Sequence, residues 1–405
     1  MNDMSASPAP LGRHHDRIAA LHAEATAWRR DLHANPEIGF EEHRTSALIQ
    51  EKLKAFGVDE ILTGLGRTGV VGIVHGRAKG KMIGLRTDID ALPMQERTGL
   101  PHASVNAGKM HACGHDGHTA MLLATAKILA ETRDFAGSVA LIFQPAEEGG
   151  GGGREMVEDG MFDRAPCETV WGLHNMPDQP LGTFTALPGP TMAGIDYFDI
   201  AFEGQGTHAG VPHAGVDTVL TAAHFVTTVQ SIPARNLSPF EAVTVGISMI
   251  KGSDAYVVMG DRAVVGGSVR FFSEEAREKT EARLRRLAGS VAQGFDCEAV
   301  VDYRRNYPPC INPAPEAEIA AQVAETVVGE AAVSRSAEPC MAGEDFAFML
   351  NARPGHYIWM GTAAEDHVSG RLHYPDYDFN DASIPLGVAY WLALVDRLLP
   401  AEAAA

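Results

Sequence analysis

Four short apolar runs constrain this chain most: Gly69–Val74, Met82–Arg86, Val139–Phe143 and Thr169–Leu173. Each has the length of a strand and is rich in β-branched residues, as strands buried on both faces of a parallel sheet are. Between the second and third lies HTAMLLATAKILAE, which predicts a helix from about Gly117 to Glu131. Alternating strands and helices predict an α/β sheet with crossover helices. Two helices come before it, over Arg17–His33 and from near Glu41 to Phe56, the second stopped by Gly57. The first 15 or so residues read as a loose lead-in.

The pattern changes near Gly194. IDYFDIAFEG alternates like a half-exposed strand, and apolar residues recur at helical spacing from Val216 to Val229. VTVGISMIKG and RAVVGGSVRFF follow as strands, Ser273 caps a charged helix to about Gln293, and CEAVVDYRR closes the series. This β-α-β-β-α-β order is that of a ferredoxin-like unit. From Tyr307 a Pro-rich link, a helix, the strand GHYIWMG and a last helix over Ile384–Leu399 return to the first pattern. The expected organisation is a mostly parallel α/β domain over 1–193 and 308–405, with a ferredoxin-like α+β domain inserted over 194–307.

The charge balance excludes some partners. With 33 basic and 52 acidic residues the net charge is −19, which argues against nucleic acid or an anionic membrane surface. The 5 cysteines are scattered and odd in number, no disulfide framework is apparent, and the opening MNDMSASPAPLGRHHD has no apolar h-region. A cytoplasmic protein is expected.

Polar groups gather where the predicted strands end. RTDIDALP places Asp88 and Asp90 there, QPAEEGG places Glu147 and Glu148, and LHN places His174. Open α/β sheets bind ligands at that edge. HACGHDGH at 111–118 adds Cys113 and His115, which in an extended segment point the same way. A thiolate and an imidazole together suit a borderline-soft divalent ion, although a lone C-x-H would more often be a buried turn before a helix. Adjacent Glu147 and Glu148 diverge, so one can face an ion and the other a water, as a general base must. Asp90 reads as an orienter of an imidazole, Asp88 as either orienter or turn former. His33 reads as a helix-end histidine rather than a ligand.

DLHANPEIGFEE, RTDIDALP, MHACGHDGHTAMLL, FQPAEEGGGG, WGLHNMP, GTHAGVPH, AGEDFAFML and LHYPDYDFND occur in that order over residues 20–397. Together they resemble the zinc-peptidase-like amidohydrolases that include hippurate hydrolase, bacterial aminoacylases and the auxin–amino-acid conjugate hydrolases. The resemblance implies two divalent metal ions, Zn or Mn first and Co or Ni as substitutes, held by Cys113, His115, Glu148, His174 and His373. It implies Glu147 as general base toward a metal-bound water, hydrolysis of an N-acyl amino acid to a carboxylic acid and a free amino acid, and a homodimer or higher homo-oligomer. The inserted domain corresponds to the family's lid and dimerisation domain, and His208 to a lid histidine at the substrate or its oxyanion. Where the family often has N-V-I-P, this chain has Val257–Gly260, without the Asn. Arg270 fits the family pattern, read as a surface or structural arginine ahead of a group that binds the substrate's carboxylate, and the acids of GEDF at 343–346 as supports for loop structure and metal geometry rather than catalysis.

Within the same resemblance, N-acetyl-diaminopimelate deacetylation or peptidase activity are alternatives. From the residues alone, a Cys113 thiol hydrolase with His115 or His118 as base competes. A non-catalytic binding relative also competes, against the intact Glu147 and ligand set.

Overall fold

A computed structural model describes residues 12–365, 367 and 370–401. Most of the lead-in lies outside the described residues. The chain divides into two compact units: Met1–Thr191 with Ile311–Glu338 and Asp345–Ala405, and Met192–Cys310 with Pro339–Glu344.

The first unit is built on an eight-stranded sheet. Helices α1 (His15–Ala34) and α2 (His43–Phe56) precede strands β1 (Glu60–Leu65), β2 (Gly69–His75) and β3 (Ala78–Asp88). Helix α3 (His115–Thr132) leads to β4 (Ala136–Gln144) and β5 (Thr169–Pro180). Helix α4 (Ala314–Val328), β6 (Gly355–Ala363) and α5 (Ile384–Leu398) complete the unit. From one edge the order is β1, β2, β4, β3, β5, β6, followed by the short pieces Phe184–Thr185 and Val333–Ser334. Strands β4, β3, β5 and β6 run parallel to one another.

The run Gly69–Val74 departs from the parallel expectation, because β2 is antiparallel to β4. Gly76 and Arg77 alone separate β2 from β3, whereas a parallel return needs a crossover of a dozen or more residues. Strand β5 also outruns its apolar stretch, since its pairing with β6 continues to Pro180. His174 thus lies inside that strand, past Gly172 where pairing with β3 stops.

Helix α3 is buried along almost its whole length, including Met121, Leu122, Leu123, Ile128 and Leu129. A helix apolar all round belongs in a core, and α3 packs against α1, α5, α2 and β3. Its first turn delivers His115, Asp116 and His118 into the interior.

The second unit is ferredoxin-like. Strands Gly194–Glu203, Thr244–Lys251, Arg262–Phe271 and Glu298–Tyr307 form an antiparallel sheet in which the first and last pair side by side. Helices Thr218–Val229 and Glu274–Gly294 cover it, capped by Asp217 and, as its sequence predicts, by Ser273. A buried ion pair crosses this unit: Arg277 donates to both oxygens of Asp196 at 2.8 and 2.6 Å. The Tyr303 hydroxyl and the Asn306 N–H also donate to Asp196, at 2.8 and 2.9 Å. Removing one partner of such a pair leaves a buried charge unmatched. Asp196→Ala is therefore expected to lower unfolding stability by about 3–5 kcal/mol, measured by denaturant titration. A loss under about 1 kcal/mol, the value of a surface pair, would contradict this account.

Candidate active site

The segment Met110–His118 crosses the C-terminal edge of the parallel strands. Gly114 makes its turn with φ +96°, and a Cβ there would lie 2.2 Å from the Asn175 side-chain oxygen. No other residue fits that close, left-handed position. The turn puts Cys113 on one side and starts α3 with His115 on the other.

The five candidate ligands come together. Ligand atoms of Cys113, His115 and His174 lie within 4.8 Å of one another, as do those of Cys113, Glu148 and His373. Cys113 belongs to both groups. Glu147 joins His115 and Glu148 in a third. In another group, Asp88 with His115 and His118, the His118 and Asp88 atoms are already hydrogen-bonded to each other.

Hydrogen bonds engage the ring nitrogens of these imidazoles differently. His115 Nδ1 donates to the Asp90 carbonyl at 3.0 Å and sits 3.2 Å from its carboxylate. Its Nε2 is buried without a hydrogen-bond partner among the described residues, which leaves that nitrogen for the site, as in the carboxylate–histidine arrangement of metal centres. His174 Nδ1 donates to the Asn175 carbonyl at 2.7 Å, leaving Nε2 3.4 Å from Cys113 Sγ. His118 has neither nitrogen to offer: Nδ1 donates to Asp88 at 2.6 Å and Nε2 accepts the Asn175 N–H at 3.1 Å. Glu148 lies 3.1 Å from His373 Nε2, and its own N–H donates to Asp90 at 2.9 Å. Asp90 thus orients both His115 and Glu148, the orienting role expected of it. Asp88 does the same for His118, with its other oxygen on Arg86 at 3.0 Å.

The electrostatics ask for a cation. Burial, then Glu148, Glu147 and Asp88, push the Cys113 thiol well above its usual range. Reactive cysteines sit in electropositive, partly exposed places, so this environment opposes the thiol-nucleophile reading. Burial alone would lower the His115 imidazole, yet Asp88, Asp90 and Glu148 outweigh it and lift the group to about 10. The same surplus of negative charge that draws a proton to His115 suits divalent ions, and the thiolate–imidazole–carboxylate donors fit them.

Other residues fall outside the donor groups. His33 ends α1 and bonds Asp116 at 2.8 Å, the place expected for a helix-end histidine. His208 lies in the second unit on a short strand, Thr207–His208, paired with Val258–Met259. Its Nδ1 accepts the Gly210 N–H at 3.0 Å, and with Val257–Asp261 it lines an open depression of about 600 Å³. Arg270 donates to the Met341 carbonyl at 2.6 Å, a structural bond. Asp345 of GEDF accepts from Gln144 and from the Gly153 N–H, supporting the loop that carries Glu147.

Sequence reasoning overlooked Arg86 and Asn175. Arg86 is fully buried, bound to Gln144, Asp88 and Asp345 at 2.8, 3.0 and 3.2 Å. A guanidinium ending an apolar strand run was a readable signal, because a buried charge must be paired.

A cluster of buried thiol, imidazole and carboxylate donors at the carboxyl edge of an α/β sheet defines a metal-dependent hydrolase. The model of peptidase family M20/M25/M40 matches residues 84–397. The chain is 37% identical over 376 residues to an N-acetyl-L-cysteine deacetylase of Bacillus subtilis (strain 168), covering 93% of this chain and 88% of that one. It is 36% identical over 382 residues to hippurate hydrolase of Campylobacter jejuni, covering 94% and 98%. The crystal structure of a dinuclear metal-binding M20 peptidase from Bacillus subtilis matches with TM-score 0.81 at 32% identity, over 95% of this chain and 100% of that one. The chain belongs to peptidase family M20/M25/M40 and is a hydrolase.

His33 offers a pH test of the ground behind the site. Burial by itself would lower this imidazole, but its hydrogen bond to Asp116 and its ion pair with Glu96 at 3.5 Å prevail and push it up to about 9. A folded-state value above the unfolded 6.5 means that the cation stabilises the fold fully below pH 6.5 and loses that effect as pH rises through 9. His33→Gln is expected to cost on the order of 1–3 kcal/mol at pH 6, and less by pH 9.5. Urea unfolding of both proteins at the two pH values checks this; a gap that widens with pH would contradict it.

Proposed function

We propose that this enzyme hydrolyses the amide bond of N-acyl amino acids, releasing a carboxylic acid and a free amino acid. The observation that carries the reading is the pair of donor groups sharing Cys113, with Glu147 beside them. Cys113, His115 and His174 would hold one divalent ion and Cys113, Glu148 and His373 a second. Bound there, two such ions acidify a water and polarise an acyl carbonyl. Thiolate and imidazole favour Zn, while the carboxylate suits Mn.

Glu147 is the group that takes the water's proton and returns it to the leaving amine. It is buried, at 8% exposure, and next in sequence to Glu148, so the base and a ligand are held by one turn. His208 is read as a donor to the oxyanion that develops on the acyl carbonyl. The choice of N-acyl amino acids over peptides rests on the deacetylase and the hippurate hydrolase, both named for N-acyl amino acids. A homodimer is supported by exposed apolar residues of the second unit, Phe240, Ile250, Tyr256 and Val257. A cytoplasmic setting is supported by five free cysteines. No helix among the described residues is long and apolar enough to cross a membrane.

The decisive experiment screens protein reloaded with Zn or Mn against benzoyl, acetyl, longer acyl and indoleacetyl amino acids, with unblocked dipeptides alongside. Turnover confined to the N-acyl set, lost on chelation, is expected; turnover of the dipeptides alone would overturn the proposal. Glu147→Gln is expected to keep about two ions per chain by elemental analysis while kcat falls by roughly 10²–10⁴. Near-normal turnover would remove Glu147 from the base role. For His208→Ala the expected result is a kcat reduced about 10²-fold or more with unchanged metal content. Unimpaired kcat would show that His208 only shapes its turn.

A further inference from the structure

The motif DLHANPEIGFEE supplies no ligand and no base, yet its last residue reaches the loop that carries both glutamates. Glu42 is fully buried at the N-terminus of α2. One carboxylate oxygen accepts the Ala146 N–H at 2.9 Å, and the other accepts the Thr68 hydroxyl at 2.6 Å. The Glu42 carbonyl accepts the Ser46 N–H at 2.9 Å, which fixes the residue to the helix.

Ala146 is the residue before Glu147, and its φ is +50°. Left-handed backbone is unfavourable for alanine, whose Cβ crowds the following carbonyl. Such a residue persists where its surroundings over-determine it. Here Glu42 holds the N–H, and the carbonyl accepts from Gly152 at 3.2 Å. Gly39 of the same motif lets the segment come close: a Cβ there would be 2.9 Å from Ala146 Cα and Cβ. The Glu37 carbonyl also takes the Ala91 N–H at 2.8 Å, beside Asp90. The motif therefore cradles both strand-end turns from below.

We propose that Glu42 is a positioning residue for the reaction: its buried carboxylate locks Ala146 in the left-handed conformation from which Glu147 and Glu148 diverge. Glu148 has a second anchor, the Asp90 carboxylate on its N–H. Glu147 lies between these two anchored N–H groups, and its own carbonyl accepts the Gly149 N–H at 2.6 Å. Loss of the Glu42 carboxylate orphans the Ala146 N–H and lets that residue relax, which shifts the backbone that carries Glu147 while the Glu148 N–H keeps its tether. The proposal rests on the reading of Glu147 as general base.

The test compares Glu42→Ala, Glu42→Gln and Glu147→Gln in metal-reloaded enzyme, on the best N-acyl amino acid of the panel. Glu42→Ala is expected to lower kcat about 10–100-fold, the scale of a misplaced catalytic group. KM should stay within about threefold and metal content unchanged, the signature of a loss felt in the transition state. Glu42→Gln should retain kcat within about threefold, because its amide oxygen still accepts the Ala146 N–H and the Thr68 hydroxyl can reverse its role. A merely structural residue would not separate kcat from KM and metal content, nor be rescued by the amide. Wild-type kcat in Glu42→Ala, a Gln variant as impaired as Ala, or parallel loss of metal would overturn the proposal. If Glu42→Ala does not fold, Thr68→Val frees the carboxylate instead; a several-fold fall in kcat is expected, and an unchanged kcat would overturn it. Full activity of Glu147→Gln would instead defeat the base reading, whatever Glu42 does.

Discussion

The Asp88 carboxylate, fully buried at the end of β3, is the bond on which the site depends. One oxygen takes Arg86 at 3.0 Å and the other His118 at 2.6 Å. Through His118 it fixes the first turn of α3, and His118 in turn accepts the Asn175 N–H of β5. Through Arg86 it reaches Gln144 and Asp345, and Asp345 holds the Gly153 N–H. One ion-paired knot thus sets the distances among α3, β5 and both ends of the loop bearing Glu147 and Glu148. Breaking such a buried pair by removing one member typically costs about 3–5 kcal/mol, so the arrangement is stiff as well as specific.

Burying this knot divides the charges into two populations. Asp88 meets Arg86 and His118, and although burial would raise it, His115, His118 and Arg86 hold it well below its usual range. Asp116, in the first turn of α3, is likewise lowered against burial by His33, His111 and Arg29. Cys113, in contrast, looks onto Glu147, Glu148 and Asp88. Two unit charges 4 Å apart interact by about 4 kcal/mol at an effective dielectric of 20, so these anionic donors repel unless a cation joins them. Arg86 and Arg29 pair with the carboxylates of Asp88 and Asp378, and two of the candidate donor groups share Cys113.

The runs that became β2, β3, β4 and β5 were legible because a strand buried on both faces writes its burial directly into composition. Strand β1 was not, since EILTGL is largely exposed and carries no such signature. Direction was hidden in the same way: the residues of β2 do not encode it, and only the two-residue link after it does. The candidate ligands were legible as extended motifs, whereas the spacing of Cys113 and His115 alone favours a plain turn before a helix over a metal. What eliminates His118 is a backbone N–H 57 residues away, which no local reading contains. The Ala146 turn was invisible for a similar reason, because alanine gives no hint of left-handed backbone.

Two of the six non-glycine residues with positive φ among the described residues belong to the candidate site. Ala146 and His373, with φ of +50° and +63°, are neither Gly, Asn nor Asp, the residues that tolerate such angles. Each costs of order 1–3 kcal/mol and each has its N–H held, Ala146 by Glu42 and His373 by the Ala112 carbonyl at 2.8 Å. Regular structure could not do their work. A strand sends consecutive side chains to opposite faces and a helix turns them by a fixed step, whereas the adjacent Glu147 and Glu148 both bring a carboxylate oxygen within 4.8 Å of His115. The ordered core supplies the stability that tolerates these turns, above all the buried length of α3 and the parallel strands beside it. Ala112 belongs to the strap that carries Cys113, so the hydrogen bond from His373 links two candidate ligands through backbone alone. Their separation then depends on main-chain geometry rather than on side-chain packing, which leaves the surrounding side chains free to differ with the acyl group while the donor positions stay fixed.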